Sequence, residues 1–373
     1  MRYLWIFLCL ALVLSLAGGP AVAADPVAER IAAVVQLSPL ETAMTSKMVV
    51  ESYNGLVRAA DTLEDPQFRA VVQGLLQKPY PSFLGGEPLD WRSYIAAGGA
   101  GAHHMYPGGL PVHTYVNLRH ALNILDTYES VYGAKYNRDL VVASVLLHDV
   151  LKAYTNQYFP KFNETTGKWF VPKEVASDGL YKSWGRYGLM GHHNEMLVSE
   201  LAFRGAPAVL VATAHSHQDQ YWDSRSNAWL QEKDETWERT MEDGLRKLAQ
   251  FPGGKEPAEK YLGEVFRPEY KSIEAGINLL SDSDWNMSQG KAGLFAVKIF
   301  AAFAEKHGLA KDSRDYNLAQ GWLFSRVDPT RLSAEWERAG WNLEEAVRFV
   351  EGVFLNPAPF ETRADVLAPG PRN

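Results

Sequence analysis

Residues 138–154 read RDLVVASVLLHDVLKAY, and within this strongly apolar run His148 and Asp149 stand side by side. The spacing of Leu140, Val141, Val142, Val145, Leu146 and Leu147 predicts a helix from Arg138 to about Tyr154, buried on most sides by its composition. Two titratable groups in such surroundings cost several kcal/mol unless they pair with each other or bind a cation. Any fold for this chain must therefore bury either a self-satisfied His–Asp pair or a metal site. The histidine distribution bears on the choice, because nine of the ten lie between 103 and 217: His103, His104, His113, His120, His148, His192, His193, His215 and His217.

The rest of the chain past residue 24 is helical in pattern almost throughout. Apolar residues recur at helical spacing between about 27 and 78, interrupted at Ser38-Pro39. A helix is predicted from Pro111 to about Tyr132, and helical patterning returns at 192–204, 207–220, 229–250, 257–287, 290–307 and 333–354. Pro79 to Gly86 and Gly98 to Gly109 read as loops, and residues 155–190 lose the pattern; Asn163 to Gly167 before Lys168-Trp-Phe-Val171 predicts a β-hairpin or an ordered loop there. Trp169, Tyr181, Trp184 and Tyr187 make this insertion aromatic, suited either to covering a site or to packing on the core. With no internal repeat and no linker, the expectation is one all-α body.

Residues 1–23 read as a Sec-type signal peptide. Arg2 precedes an apolar stretch from Leu4 to Leu16, Gly18-Gly19-Pro20 breaks it, and Ala21-Val22-Ala23 is a small-x-small cleavage pattern. The single cysteine, Cys9, belongs to this segment, so the mature chain is expected to have no disulfide and no thiolate site. Losing Arg2 takes the net charge from −7 to −8, which argues against long nucleic acids as partners. The expected location is the periplasm or outside the cell, with no membrane span after cleavage.

Around the His–Asp pair lie His103-His-Met-Tyr-Pro-Gly-Gly-Leu-Pro-Val-His113-Thr114 upstream and Gly191-His192-His193, His215-Ser-His217 and Asp282-Ser-Asp-Trp-Asn286-Met287 downstream. Neutral imidazoles mixed with carboxylates suit divalent Mn, Fe, Co, Ni or Zn, with Mg also possible. The order His … His-Asp … His … His … Asp resembles the HD superfamily of metal-dependent phosphohydrolases. HHMYPGGLPVHT is similar to the segment around the first metal histidine of HD-domain 3′–5′ exoribonucleases. HDVLK is similar to the family's H-D-x-x-K, and Asp282 to Met287 to the D-x-x-x-N-M of its alarmone-hydrolysing branch. The resemblance spans roughly 98–290. It implies an HD-like helical bundle there, flanked by a 24–97 N-terminal helical extension and a 291–373 C-terminal extension and tail.

Carried over by position, the resemblance makes His113, His148, Asp149 and Asp282 the core metal ligands. His192 or His193, together with His215, would complete a second metal site. Asp149 is placed to bridge two ions, and Lys152, one turn beyond His148, either meets the phosphate or snorkels at a helix end. Asp284 is the alternative to Asp282; on a helix the two point about 200° apart, so one alone faces the site. His104 and His217 are candidates for substrate contact, against loop packing and solvent exposure respectively. His120, seven residues after His113, falls on nearly the same helical face and is not taken as a ligand.

The implied activity is hydrolysis of a small phosphomonoester or phosphodiester, with nucleotides among the candidates, by a metal-activated water and one or two divalent ions. Asp149 and Lys152 carry the catalytic roles in that scheme. Two other readings use the same residues: an HD-fold di-iron oxygenase, of the kind that includes myo-inositol oxygenase, and a non-catalytic periplasmic metal-bearing binding protein.

Overall fold

The computed structural model describes residues 25–85, 90–98, 104–155, 161–163, 168–170, 193–218, 222–223, 228–229, 234–283 and 290–362. The segment read as a signal peptide lies outside them. The architecture is all-α, as expected. Among the described residues, extended structure amounts to two short antiparallel ladders. One pairs β1 (Lys161–Asn163) with β2 (Lys168–Phe170), Phe162 opposite Trp169, within the segment where a hairpin or loop was expected. The other pairs β3 (Trp222–Asp223) with β4 (Ala228–Trp229). No helix among the described residues is long and apolar enough to cross a membrane.

The N-terminal helices are α1 (Pro26–Val34), α2 (Pro39–Met44), α3 (Lys47–Asp61), α4 (Pro66–Gln77) and α5 (Trp91–Ala96). Three of them start with proline in the first turn behind an Asp or Ser cap, a pairing of fixed φ with a satisfied amide that sets the start of each helix. Two long elements follow: α6 (Gly109–Tyr132) and α7 (Arg138–Leu147). After the one-turn α8 (Lys152–Thr155) come α9 (His193–Phe203), α10 (Ala208–His215), α11 (Asp234–Leu248), α12 (Lys255–Leu262) and α13 (Ile273–Asp282). The chain then runs through α14 (Gly290–Lys306), α15 (Arg314–Arg326), α16 (Pro329–Arg338) and α17 (Leu343–Leu355).

Two apolar cores hold these elements. The larger joins Leu56 to Phe83 of the N-terminal helices with α6, α7 and α9 to α13. The smaller joins Val27 to Val49 with Ile299, Phe303, Trp322 and Phe354 of the C-terminal helices. The N-terminal residues are thus shared out, α1 and α2 packing with the C-terminal helices and α4 with the central ones. Gly108 sits where the second core meets α6, with φ of +84°, and a Cβ there would come within 2.5 Å of Val49. Both the backbone angle and the space require glycine.

Three expectations on helix extent need correcting. The helix carrying the His–Asp pair ends at Leu147 instead of running to Tyr154, so His148 and Asp149 occupy a tight turn. The Val145 carbonyl, which a continuing helix would offer to the Asp149 amide, takes the His148 imidazole at 2.6 Å. The single run expected over 257–287 breaks at Arg267-Pro268, and that over 333–354 divides where Gly340 and Trp341 both adopt positive φ. Helix α15 was not anticipated at all. Its buried side includes Ser325 and Arg326, so the polar pattern conceals it.

Candidate metal centre

Five separate elements converge on one buried point. His113 projects from the second turn of α6, and His148 and Asp149 from the turn that ends α7. His193 opens α9, His217 lies in the short 3-10 turn Ser216–Gln218 after α10, and Asp282 ends α13. All six side chains are buried. Asp149 stands in the middle, with Oδ2 3.2 Å from His113 Nε2 and 3.5 Å from His148 Nε2. Its other oxygen, Oδ1, is 3.3 Å from His193 Nε2 and 3.4 Å from His217 Nε2. Two groups result, His113–His148–Asp149 and Asp149–His193–His217, and in each the potential ligand atoms lie within 4.8 Å of one another. Asp282 Oδ1 adds to the first, 3.1 Å from His113 Nε2 and 3.7 Å from His148 Nε2.

Local backbone chemistry orients the imidazoles. His148 Nδ1 lies 2.6 Å from the Val145 carbonyl and His217 Nδ1 3.0 Å from the Ala214 carbonyl, each three residues back. A carbonyl only accepts, so each Nδ1 carries the proton and each Nε2 presents a lone pair toward Asp149. His217 Nε2 and Asp149 Oδ1 are buried and make no hydrogen bond among the described residues, although they face each other. Two electron-pair donors held at that distance match what a divalent cation requires. The residues present therefore fit a metal, and the mixed N/O donor set is that of a first-row divalent ion.

The electrostatics agree. Burial alone would raise the Asp149 pKa, but Lys152, His148 and His113 hold its carboxyl well below the usual range. Asp282 is likewise lowered against the effect of burial, through His113 and His148. His113 feels burial acting against its charge, yet Asp149 and Asp282 outweigh it and hold the pKa up at about 9. At His148 burial wins over both carboxylates and pulls the pKa down to about 4, so this ring is neutral and able to ligate. Lys152 Nζ contacts Asp149 Oδ2 at 2.5 Å and is buried, which removes the snorkelling alternative.

Several sequence expectations change in detail. His215 was expected in the second group and His217 at the substrate; the structure brings His217 to Asp149, and His215, buried at the end of α10, stands outside both groups. The chain turns into the 3-10 segment immediately after His215, and that turn swings His217 inward. Of the 192/193 alternatives His193 reaches Asp149, whereas His192 lies outside the described residues, as do His103 and Asp284. His104 is buried with its ring edge-on to His113 at 5.4 Å and Nε2 3.7 Å from Asp328 Oδ2. Tyr106 also donates to Asp328, at 3.0 Å, so the N-cap of α16 reaches the edge of the centre.

One residue was missed. Asn117 is buried, and its Nδ2 lies 2.9 Å from Asp282 Oδ1, 3.1 Å from His113 Nε2 and 3.4 Å from His148 Nε2. The signal was available, since position i+4 from His113 on a helix shares its face.

Comparison with known proteins gives one curated relative. A dihydroneopterin 2',3'-cyclic phosphate phosphodiesterase from Methanocaldococcus jannaschii is 28% identical over 173 residues, which is 46% of this chain and 62% of that protein. The chain thus spans less than two thirds of the relative's length. The alignment and the motifs point the same way: the relative is named a phosphodiesterase, and the His/Asp cluster of this chain is consistent with an HD metal site. No family model and no solved structure matches.

Proposed function

We propose that this chain is a metal-dependent phosphohydrolase acting on a small phosphodiester or phosphomonoester. The observation that carries the reading is Asp149, whose two carboxylate oxygens face two separate pairs of histidines. The similarity to a cyclic phosphate phosphodiesterase supports the same reaction class. His113, His148, Asp149 and Asp282 would hold one ion, and Asp149, His193 and His217 a second. When bound, such ions lower the pKa of a coordinated water to about 7 and neutralise charge on phosphoryl oxygens.

The protein's own groups prepare for this. His148 and His217 are fixed as Nε2 donors by the carbonyls behind them, so little reorganisation is needed on binding. Lys152 balances part of the carboxylate charge and supplies a cation beside the substrate phosphate. Buried walls around the cluster keep bulk water away, which strengthens each of these interactions. Export, supported by the composition of residues 1–23, and a nucleotide substrate are the finer parts of the proposal.

The test is turnover of a phosphoester panel, 2′,3′-cyclic nucleotides included, with added Mn, Co, Ni or Zn. Cleavage that disappears in His148→Ala supports the reading. Failure on every phosphoester, with O₂ uptake after anaerobic Fe(II) loading, would replace it by the oxygenase reading.

A further inference from the structure

A cleft of about 810 Å³ opens on the side of α6 away from His113, between α3, α6 and the start of α7. Tyr115 and Arg119 line it, each two positions beyond His113 and Asn117 and so turned about 200° around the same helix. Along α7 the cleft spans Arg138 to Val142, so its near end lies about 9 Å of helix rise from His148. It is separate from the metal centre.

Its charges are unevenly committed. Asp139 Oδ2 accepts the backbone amides of Glu64 and Asp65, each at 2.6 Å, and Asp65 in turn accepts those of Gln67 and Phe68. Of the three carboxylates in the wall, Asp139 and Asp65 are therefore spent on backbone donors, and Glu64 is the third, set against three arginines. Of the three arginines in the wall, Arg138 pairs with Asp126 at 2.9 Å. Arg58, in the last turn of α3, forms no ion pair among the described residues. Arg119 is half-buried, and its Nε is shut off from solvent with no acceptor among the described residues. A buried guanidinium N–H without an acceptor is unfavourable and calls for an explanation. Beside these groups the buried Tyr115 sets one edge of its ring against Gly55, whose missing side chain gives the ring its place, and the half-buried Tyr136 adds an aromatic wall.

We infer that this cleft is a second ligand site, built for a small organic phosphate carrying a flat ring. Guanidinium forks match phosphate oxygens in pairs, and Arg119 and Arg58 are the groups with that capacity unspent. The volume falls within the range of small-molecule sites, and Tyr136, half-buried in the wall, offers a face for a planar group. The inference does not depend on the chemistry at Asp149.

The experiment is calorimetric titration of the full chain, freed of metal and then of chelator, with pyrophosphate and with adenosine 5′-monophosphate. Expected is saturable binding of at least one probe, weakened about tenfold or more in Arg119→Leu and in Arg58→Leu. Arg119→Lys, which keeps the charge and loses the fork, should fall between. No binding of either probe, or binding that all three substitutions leave unchanged, overturns the site. Because Arg119→Leu removes an unmatched buried group, its melting temperature without ligand should equal or exceed that of the parent. Should Arg119→Leu nevertheless fail to fold, Arg58→Leu and Arg119→Lys decide the question by the same readout.

Discussion

The side-chain amide of Asn117 donates to Asp282 across 2.9 Å, joining the third turn of α6 to the last residue of α13. It is the contact that fixes the Asp282 carboxylate beside His113. Groups that orient a metal ligand typically account for 10–100-fold in affinity. Asn117→Ala should therefore bind Mn or Zn about 10–100-fold more weakly while keeping its helical circular dichroism. An unchanged dissociation constant in a competition titration would remove Asn117 from the centre.

Because Asp149 serves both groups, Asp149→Asn should leave the purified protein without bound metal. His217→Ala should lose the second group's ion and keep the first. His215→Ala should keep both, which separates the two histidines directly. Elemental analysis against protein concentration measures all three, and metal loss in His215→Ala equal to that in His217→Ala would reverse their assignment.

The metal-free and metal-loaded proteins should respond to alkali in opposite senses. In the metal-free state the pKa of His113 is raised to about 9 from an ordinary 6.5, so its protonated form stabilises the fold below pH 6.5. That contribution is lost as pH rises through about 9. Metal binding needs His113 neutral and is favoured over the same interval. The gap in melting temperature between loaded and metal-free protein should widen from pH 6.5 to 9, and a gap that narrows would contradict the assignment of His113 as a ligand.

Gly108→Ala should destabilise the protein, by about 1–2 kcal/mol from its left-handed backbone alone and by more from the approach to Val49. Pairing it with Val49→Ala relieves the second contribution and leaves the first. A denaturation cycle over the four proteins measures the coupling between the two sites, and strict additivity would show that the close approach carries no energy.

That His113, His148, Asp149 and Asp282 come together was legible because the motif resemblance placed all four by position. What spacing does not convey is the turn after α10 that selects His217 over His215, since helical patterning runs past the end of the helix. Nor does it show that the helix of the His–Asp pair stops at Leu147, because a side chain competing for the Val145 carbonyl decides that. Helix α15 escaped for a third reason. Arg326 is buried there, its guanidinium donating to the Thr42 carbonyl at 2.7 Å and lying over Trp322 at 4.8 Å. The partner of that arginine is 284 positions away, and local periodicity carries no trace of it.

Asn117 and Asp282 are separated by 165 positions in the chain. A growing or truncated polypeptide that has not reached residue 282 lacks one wall of the centre, and loop closure over such a span comes late in folding. An ion held there is thus a receipt for finished assembly. Cells that degrade the empty form faster than the filled one would, without any dedicated sensor, proofread this protein from end to end.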